Sequence, residues 1–248
     1  MDSRTFETPY GPIVLWGRAE AFQSERPLVV AIAGAFAIAK GPLFQLAPLL
    51  ADAEIVTGHL PGNHCPTLIG TSVGLYAAAY SHVIANAFAD RTVVTCGASI
   101  GALVTMGLRA PQIRRSLAVE PPLVMSKLWP MWPTLRHQLA SHPGDTPVRS
   151  FVVNVFGVTE TAVEERRYDA VLDSLATPTH VLVGDQPLFP RRAFEKLPSL
   201  VDEPERESMA VHPRIRLSVA PGAGHNVLQQ SVPAFMAALR GTIADALA

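Results

Sequence analysis

Apolar positions along this chain fall in short blocks cut by turn-forming residues, and the blocks alternate between two kinds. Thr5–Thr8, the turn Pro9-Tyr10-Gly11-Pro12 and Ile13–Trp16 read as strand, turn, strand, an antiparallel hairpin. Leu28–Ala33 is a continuous apolar run stopped by Gly34, the pattern of a strand buried on both faces. Further strands are predicted over Ala53–Thr57, the β-branched Thr92–Cys96, Ser116–Val119, His180–Val183 and Ile215–Val219. Between them, Pro42–Leu50, the Ala-rich Gly74–Ala89 and Ile100–Leu108 read as helices, and Pro233–Ala248 closes the chain as another. In that last segment Phe235, Leu239, Ile243 and Leu247 recur every fourth residue, the spacing of one helix face. Strands alternating with helices after an opening hairpin predict a single α/β domain over 1–248. Its central sheet is mostly parallel, with helices on both faces.

From Leu123 to Val163 the alternation stops. This stretch carries Trp129 and Trp132, two of the three tryptophans, with Met125, Met131 and several prolines. Long loops between strands that are neither lids nor binding loops are uncommon, so 123–163 is expected to form a cap inserted after the sixth strand.

Composition narrows the class. The 248 residues are 48% hydrophobic and 17% charged, with 22 Pro and 17 Gly. So many aliphatic side chains can bury enough surface to offset chain entropy, which excludes disorder. Twenty Lys and Arg against 21 Asp and Glu leave a net charge of -1, with no basic cluster to drive nucleic-acid binding. Leu60–Ala89 lacks Asp, Glu, Lys and Arg, yet it holds His, Asn, Ser and a Pro-Gly turn and is not a membrane span. The first residues show no signal-peptide pattern. Two cysteines, Cys65 and Cys96, make no disulfide framework and no zinc spacing, so a reduced cytoplasm is expected.

Candidate chemistry sits at the ends of strands. Gly97-Ala98-Ser99-Ile100-Gly101 leaves a β-branched strand and opens an apolar helix. A nucleophile on a strained strand-to-helix turn needs small neighbours, and Gly97 and Gly101 supply them. Serine alone is a poor nucleophile and needs a base. Of eight histidines, only His225 lies between a last strand and a last helix, in Ala220-Pro221-Gly222-Ala223-Gly224-His225. A third group should orient the imidazole. Asp185 follows the strand His180–Val183, while Glu120 follows Ser116–Val119 and precedes two prolines.

Together the elbow at Ser99 and the Gly-Ala-Gly-His around His225 make the chain similar to the α/β-hydrolase superfamily over essentially its whole length. Ala33-Gly34-Ala35-Phe36 resembles that family's His-Gly oxyanion loop, and Leu60-Pro61-Gly62 its Asp-Leu-Pro-Gly turn. Ala33 stands where His is usual, His59 where Asp is common, and Asn63-His64 where the family has His-Gly. The resemblance implies oxyanion donors at the backbone N–H groups of Ala35 and Ile100. Its usual chain order, Ser then acid then His, favours Asp185 as the acid. In the family that acid stands two or three residues past the strand-end glycine, whereas Asp185 follows Gly184 directly, and some relatives carry the acid where Glu120 stands.

These readings imply a serine hydrolase cleaving an ester or thioester of an apolar acyl group through an acyl-enzyme. No metal and no organic cofactor is called for. Phe36, Trp129 and Trp132 are the expected substrate contacts. An amide or C–C bond hydrolase, or a noncatalytic binder on the same fold, are the alternatives. Oligomeric state has no sequence signature.

Overall fold

The computed structural model describes residues 2–38, 47–50 and 52–248. Eight strands form one sheet: β1 (Asp2–Phe6), β2 (Ile13–Gly17), β3 (Leu28–Ile32), β4 (Glu54–Gly58), β5 (Val93–Ala98), β6 (Ile113–Val119), β7 (Thr179–Gly184) and β8 (Ile215–Ala220). They lie in the order β1-β2-β4-β3-β5-β6-β7-β8. The β1–β2 and β2–β4 pairs are antiparallel, and every pair from β4 through β3 to β8 is parallel. The mostly parallel α/β class expected from the pattern is therefore the observed one.

The central strands are covered on both sides, as their continuous apolar runs require. Along β3, Leu28, Val30 and Ile32 enter one core while Val29 and Ala31 enter the other. The first core is closed by α1 (Val73–Ala87) and α2 (Ile100–Gly107), which pack on each other. The second is closed by the C-terminal helix, numbered α8 below, whose Phe235, Leu239 and Ile243 are buried. Leu247, the fourth residue of the predicted stripe, is 49% exposed because the helix runs past the sheet there.

The opening strand differs from expectation. It is Asp2–Phe6, and Thr8 belongs to the turn, where its hydroxyl donates to the Gly11 carbonyl (2.6 Å). An exposed edge strand needs no apolar alternation, so nothing in its pattern marked Asp2-Ser3-Arg4. In the expected helix Pro42–Leu50, residues 42–46 lie outside the described residues, and Ala47–Leu49 form a single 3-10 turn.

Between β6 and β7 come two 3-10 turns, Met125–Lys127 and Trp129–Met131, then α3 (Trp132–Ser141), α4 (Pro147–Phe156) and the short α5 (Ala170–Asp173). Helix α4 starts with Pro147 behind Thr146, whose hydroxyl caps the Arg149 N–H (3.3 Å). It stops at Gly157, which takes φ +70°. Phe151 and Phe156 of α4 pack on Phe36, just past β3, so this insertion reaches the carboxyl edge of the sheet. The chain then continues through β7, α6 (Glu203–Ala210), β8, α7 (Val227–Gln230) and α8 (Val232–Leu247). Among the described residues no helix is long and apolar enough to cross a membrane.

Candidate active site

Among the described residues, four non-glycine residues take positive φ: Phe36 (58°), His64 (56°), Ser99 (55°) and Glu120 (54°). They follow β3, β4, β5 and β6 respectively, so all four stand at the carboxyl edge of the parallel sheet. A left-handed backbone is costly for side chains of this size and persists only where its surroundings hold it. Open α/β sheets also bind their ligands at that edge.

Ser99 is the turn between β5 and α2, with φ 55° and ψ −123°. Its N–H donates to the Val119 carbonyl (2.9 Å) and its own carbonyl accepts the first helical bond from Ala102 (2.9 Å). The two flanking glycines are required by contact. A Cβ on Gly97 would strike the Gly101 carbonyl and the Thr105 hydroxyl; one on Gly101 would strike the Ile32 and Ala33 carbonyls. The spacing Gly-x-Ser-x-Gly is thus the local imprint of strand, elbow and helix packed at backbone distance.

The β3 loop lies beside the same serine. A Cβ on Gly34 would stand 3.4 Å from the Ser99 Cβ and 3.1 Å from the Ala98 carbonyl. Ala35 therefore sits one residue from the hydroxyl's neighbourhood, and Ile100 begins the helix. The Ile100 N–H belongs to the first turn, which has no intrahelical acceptor. Among the described residues the Ala35 N–H donates to no backbone carbonyl. Phe36, next in the loop, packs edge-on against Phe151 (centroids 5.6 Å) and face-on against Phe156 (6.4 Å).

His225 arrives from the loop after β8. Gly224 is needed there because a Cβ would collide with the Leu197 carbonyl, and Gly222 turns the chain at φ +71°. The His225 N–H donates to the Leu197 carbonyl (3.1 Å), which fixes the backbone. Its Nδ1 lies 3.3 Å from Glu120 Oε2, and the ring is 9% exposed.

This is the main correction to the sequence reading. The carboxylate facing the imidazole is that of Glu120, and Asp185 is turned away. Glu120 is fully buried, and both its oxygens are engaged. Oε1 accepts from the Gly184 N–H (2.6 Å) and the Ser199 hydroxyl (2.7 Å), and Oε2 accepts from the Leu200 N–H (2.8 Å) as well as facing His225. A carboxylate has acceptor positions for all four. Asp185 is exposed, and its Oδ2 accepts the Gly222 N–H (2.8 Å), which ties the β7 loop to the β8 loop. Gly184 gives its N–H to Glu120, and the residue after it, Asp185, is exposed.

Ser99 Oγ and His225 share no hydrogen bond among the described residues; such pairs are often long until substrate draws them together. Trp129 and Trp132, the expected substrate contacts, lie against the segment that follows β7. Trp129 packs on Phe194 (5.5 Å), and the Arg191 guanidinium lies over both tryptophan rings (5.4 and 5.9 Å). Trp129 lines a groove of about 490 Å³ with residues 192–198; Ser99 and His225 are not part of its lining. Exposed His64 and half-buried Cys65 form the turn after β4, with the His64 ring 5.5 Å from that of His59.

Sequence reasoning missed Ser199, Leu200 and helix α6 behind them. One local signal was present: Asp202 and Glu205 have capping-box spacing, and the Glu205 carboxylate accepts the Asp202 N–H (2.9 Å).

No protein-family model matches the chain, and neither does any curated protein. Solved structures do. A proline iminopeptidase from Mycobacterium smegmatis superposes with a TM-score of 0.69 at 13% identity, covering 99% of both chains. This chain has the α/β-hydrolase fold. A thermophilic esterase from Thermogutta terrifontis gives a TM-score of 0.65 at 14% identity, again over 99% of each chain. The naproxen esterase of Bacillus subtilis gives 0.65 at 17% identity, over 97% of this chain and 90% of that one. The α/β-hydrolase sheet order and its antiparallel opening are thus those of this protein.

Proposed function

We propose that the protein is a serine hydrolase that cleaves carboxylic esters of apolar acids through an acyl-enzyme. The observation that carries the proposal is the Glu120–His225 pair set on the same sheet edge as the left-handed Ser99. With its Nδ1–H donated to Glu120, the imidazole offers Nε2 as the proton acceptor. Ser99 Oγ attacks the ester carbonyl carbon as its proton passes to Nε2. The resulting oxyanion takes hydrogen bonds from the Ala35 and Ile100 N–H groups. Collapse breaks the bond to the alcohol oxygen, which leaves with the proton from His225. Water then attacks the acyl-serine, gives its proton to His225, and the acid departs as the proton returns to Ser99.

The apolar preference rests on Phe36 and its contacts with Phe151 and Phe156, an aromatic wall beside the oxyanion loop. Esterases among the similar structures support an ester, while the iminopeptidase shows that the fold also serves other bonds. A fluorophosphonate probe tests the chemistry directly. Wild type should label and Ser99→Ala should not, and p-nitrophenyl octanoate should be turned over in preference to the acetate. A folded wild-type protein that resists the probe overturns the proposal.

A further inference from the structure

We propose that Ser199 and Arg206 are positioning residues for the imidazole, acting through Glu120; this rests on Glu120 being the acid of the proposed hydrolase. Ser199 is fully buried, and its hydroxyl has one proton with two acceptors in reach, Glu120 Oε1 at 2.7 Å and the Val201 carbonyl at 3.1 Å. The carboxylate is the nearer of the two, and Arg206 shares the other: its Nε donates to the same Val201 carbonyl (3.1 Å). A hydroxyl donating to a charged acceptor makes the shorter and stronger bond.

Arg206 also holds the opposite side of the same carboxylate. Its Nη2 donates to the Gly184 carbonyl (2.7 Å), and the Gly184 N–H donates to Glu120 Oε1. One guanidinium on α6 thereby spans the two chain segments whose N–H and O–H groups grip Glu120. Among the described residues, the other groups on that carboxylate are the Leu200 N–H on Oε2 and the imidazole itself, so Oε1 is set by Gly184 and Ser199 alone. Losing the Ser199 hydroxyl frees Oε1 on one side. The carboxylate can then rotate, and Oε2 drifts from His225 Nδ1, whose distance of 3.3 Å is already long. The burden falls on kcat, because both side chains act on the carboxylate that orients the imidazole and not on Ser99 or the oxyanion loop.

The experiment measures kcat, KM and the fluorophosphonate labelling rate of wild type, Ser199→Ala, Arg206→Gln, Glu120→Gln and the Ser199→Ala/Glu120→Gln double variant. A hydrogen bond to a charged group lost in this way corresponds to a fall in kcat of about tenfold to a hundredfold for Ser199→Ala. Arg206→Gln should lose somewhat less, and KM should hold. In the Glu120→Gln background, Ser199→Ala should cost less than about twofold more, because both act through one group. A purely structural role would lower thermal stability in every background and leave kcat alone. If wild type does not label, the hydrolase reading falls and this proposal with it. If Glu120→Gln keeps the full rate, the acid assignment is wrong and so is this one. If Glu120→Gln is slow while Ser199→Ala keeps wild-type kcat, this proposal alone is overturned. Should Ser199→Ala not fold, Arg206→Gln decides on the same terms, being half-buried on a helix surface.

Discussion

Strands β6 and β7 lie side by side, and each is followed immediately by a carboxylate: Glu120 after β6, Asp185 after β7. The two are chemically alike and one strand apart, yet their surroundings differ in every respect. Glu120 is buried under the segment 184–200 and receives three fixed donors besides the imidazole. Asp185 stands in solvent and takes a single loop N–H. A carboxylate that must hold another group steady is itself held by donors that cannot rotate away. A carboxylate that ties two loops together needs one bond and tolerates water. Burial with full satisfaction is the mark that separates the two roles.

The comparison breaks most sharply on activity. Glu120→Gln should cost on the order of 10⁴ in kcat by favouring the wrong imidazole tautomer. It also turns an amide N–H₂ toward a backbone N–H that can only donate, that of Gly184 or of Leu200. Asp185→Asn, assayed beside it on the same ester, should stay near wild type. The reverse pattern would restore Asp185 as the acid and leave the donor shell around Glu120 as a matter of stability alone.

Stability gives the next largest effect. Glu120→Ala strands the Gly184 and Leu200 N–H groups and the Ser199 hydroxyl in the interior. Removing one partner of a buried polar set costs about 3–5 kcal/mol, read as a lower urea midpoint at unchanged slope. A loss under about 1 kcal/mol would mean that water replaces the carboxylate.

What was legible in the sequence follows physical range. The elbow could be read because Gly97 and Gly101 are forced by contacts among β3, β5 and α2. The His225 loop could be read because glycine is needed against Leu197. The carboxylate that faces His225 was not legible, because Glu120 meets its donors across 64 to 80 residues of chain. No local pattern announces a closure of that length. Family chain order pointed to the strand that usually supplies the acid, whereas here the backbone leaving β7 serves Glu120. Helix α6 was not legible because it is mostly polar, and the first residues of β1, Asp2-Ser3-Arg4, because they lie exposed at the sheet edge. Trp129 and Trp132 were legible as large apolar side chains of the insertion but not as the half-buried pair over which Arg191 lies.

A third carboxylate sharpens the contrast. Glu205 is also buried, at 6% exposure, but among the described residues it has one hydrogen-bond donor, the Asp202 N–H, with Lys127 Nζ at 3.8 Å. Burial pushes its pKa up to about 7, with Asp202 adding to the rise and Lys127 opposing it. A carboxyl whose folded pKa is raised binds its proton more tightly in the native state than in the unfolded chain. Its contribution is therefore complete below the ordinary glutamate range and is lost as pH rises toward 7. Stability should fall between about pH 4.5 and 7 by an amount on the order of 3 kcal/mol, read as a lower melting temperature. Glu205→Gln keeps the acceptor for Asp202 and should flatten that slope. A slope that persists in the variant would assign it to other groups.

The smallest effect belongs to Asp185. Asp185→Asn retains a side-chain oxygen for the Gly222 N–H, so the tie between the β7 and β8 loops survives as a neutral bond. A charge-assisted bond weakened to a neutral one at an exposed site is worth about 0.5–1 kcal/mol. Asp185→Ala removes the acceptor altogether, but the Gly222 N–H is in an exposed turn and water can take its place. Both variants should therefore unfold within about 1 kcal/mol of wild type. The loop they loosen carries His225 three residues beyond Gly222, and that residue is separately anchored by Leu197 and Glu120. Kcat should then fall by no more than about threefold in Asp185→Ala, a margin of roughly 0.7 kcal/mol. A fall of a hundredfold in Asp185→Ala with Asp185→Asn intact would show that the tether, and not the charge, aims the imidazole. The separation of roles between the two strand ends would then be one of degree.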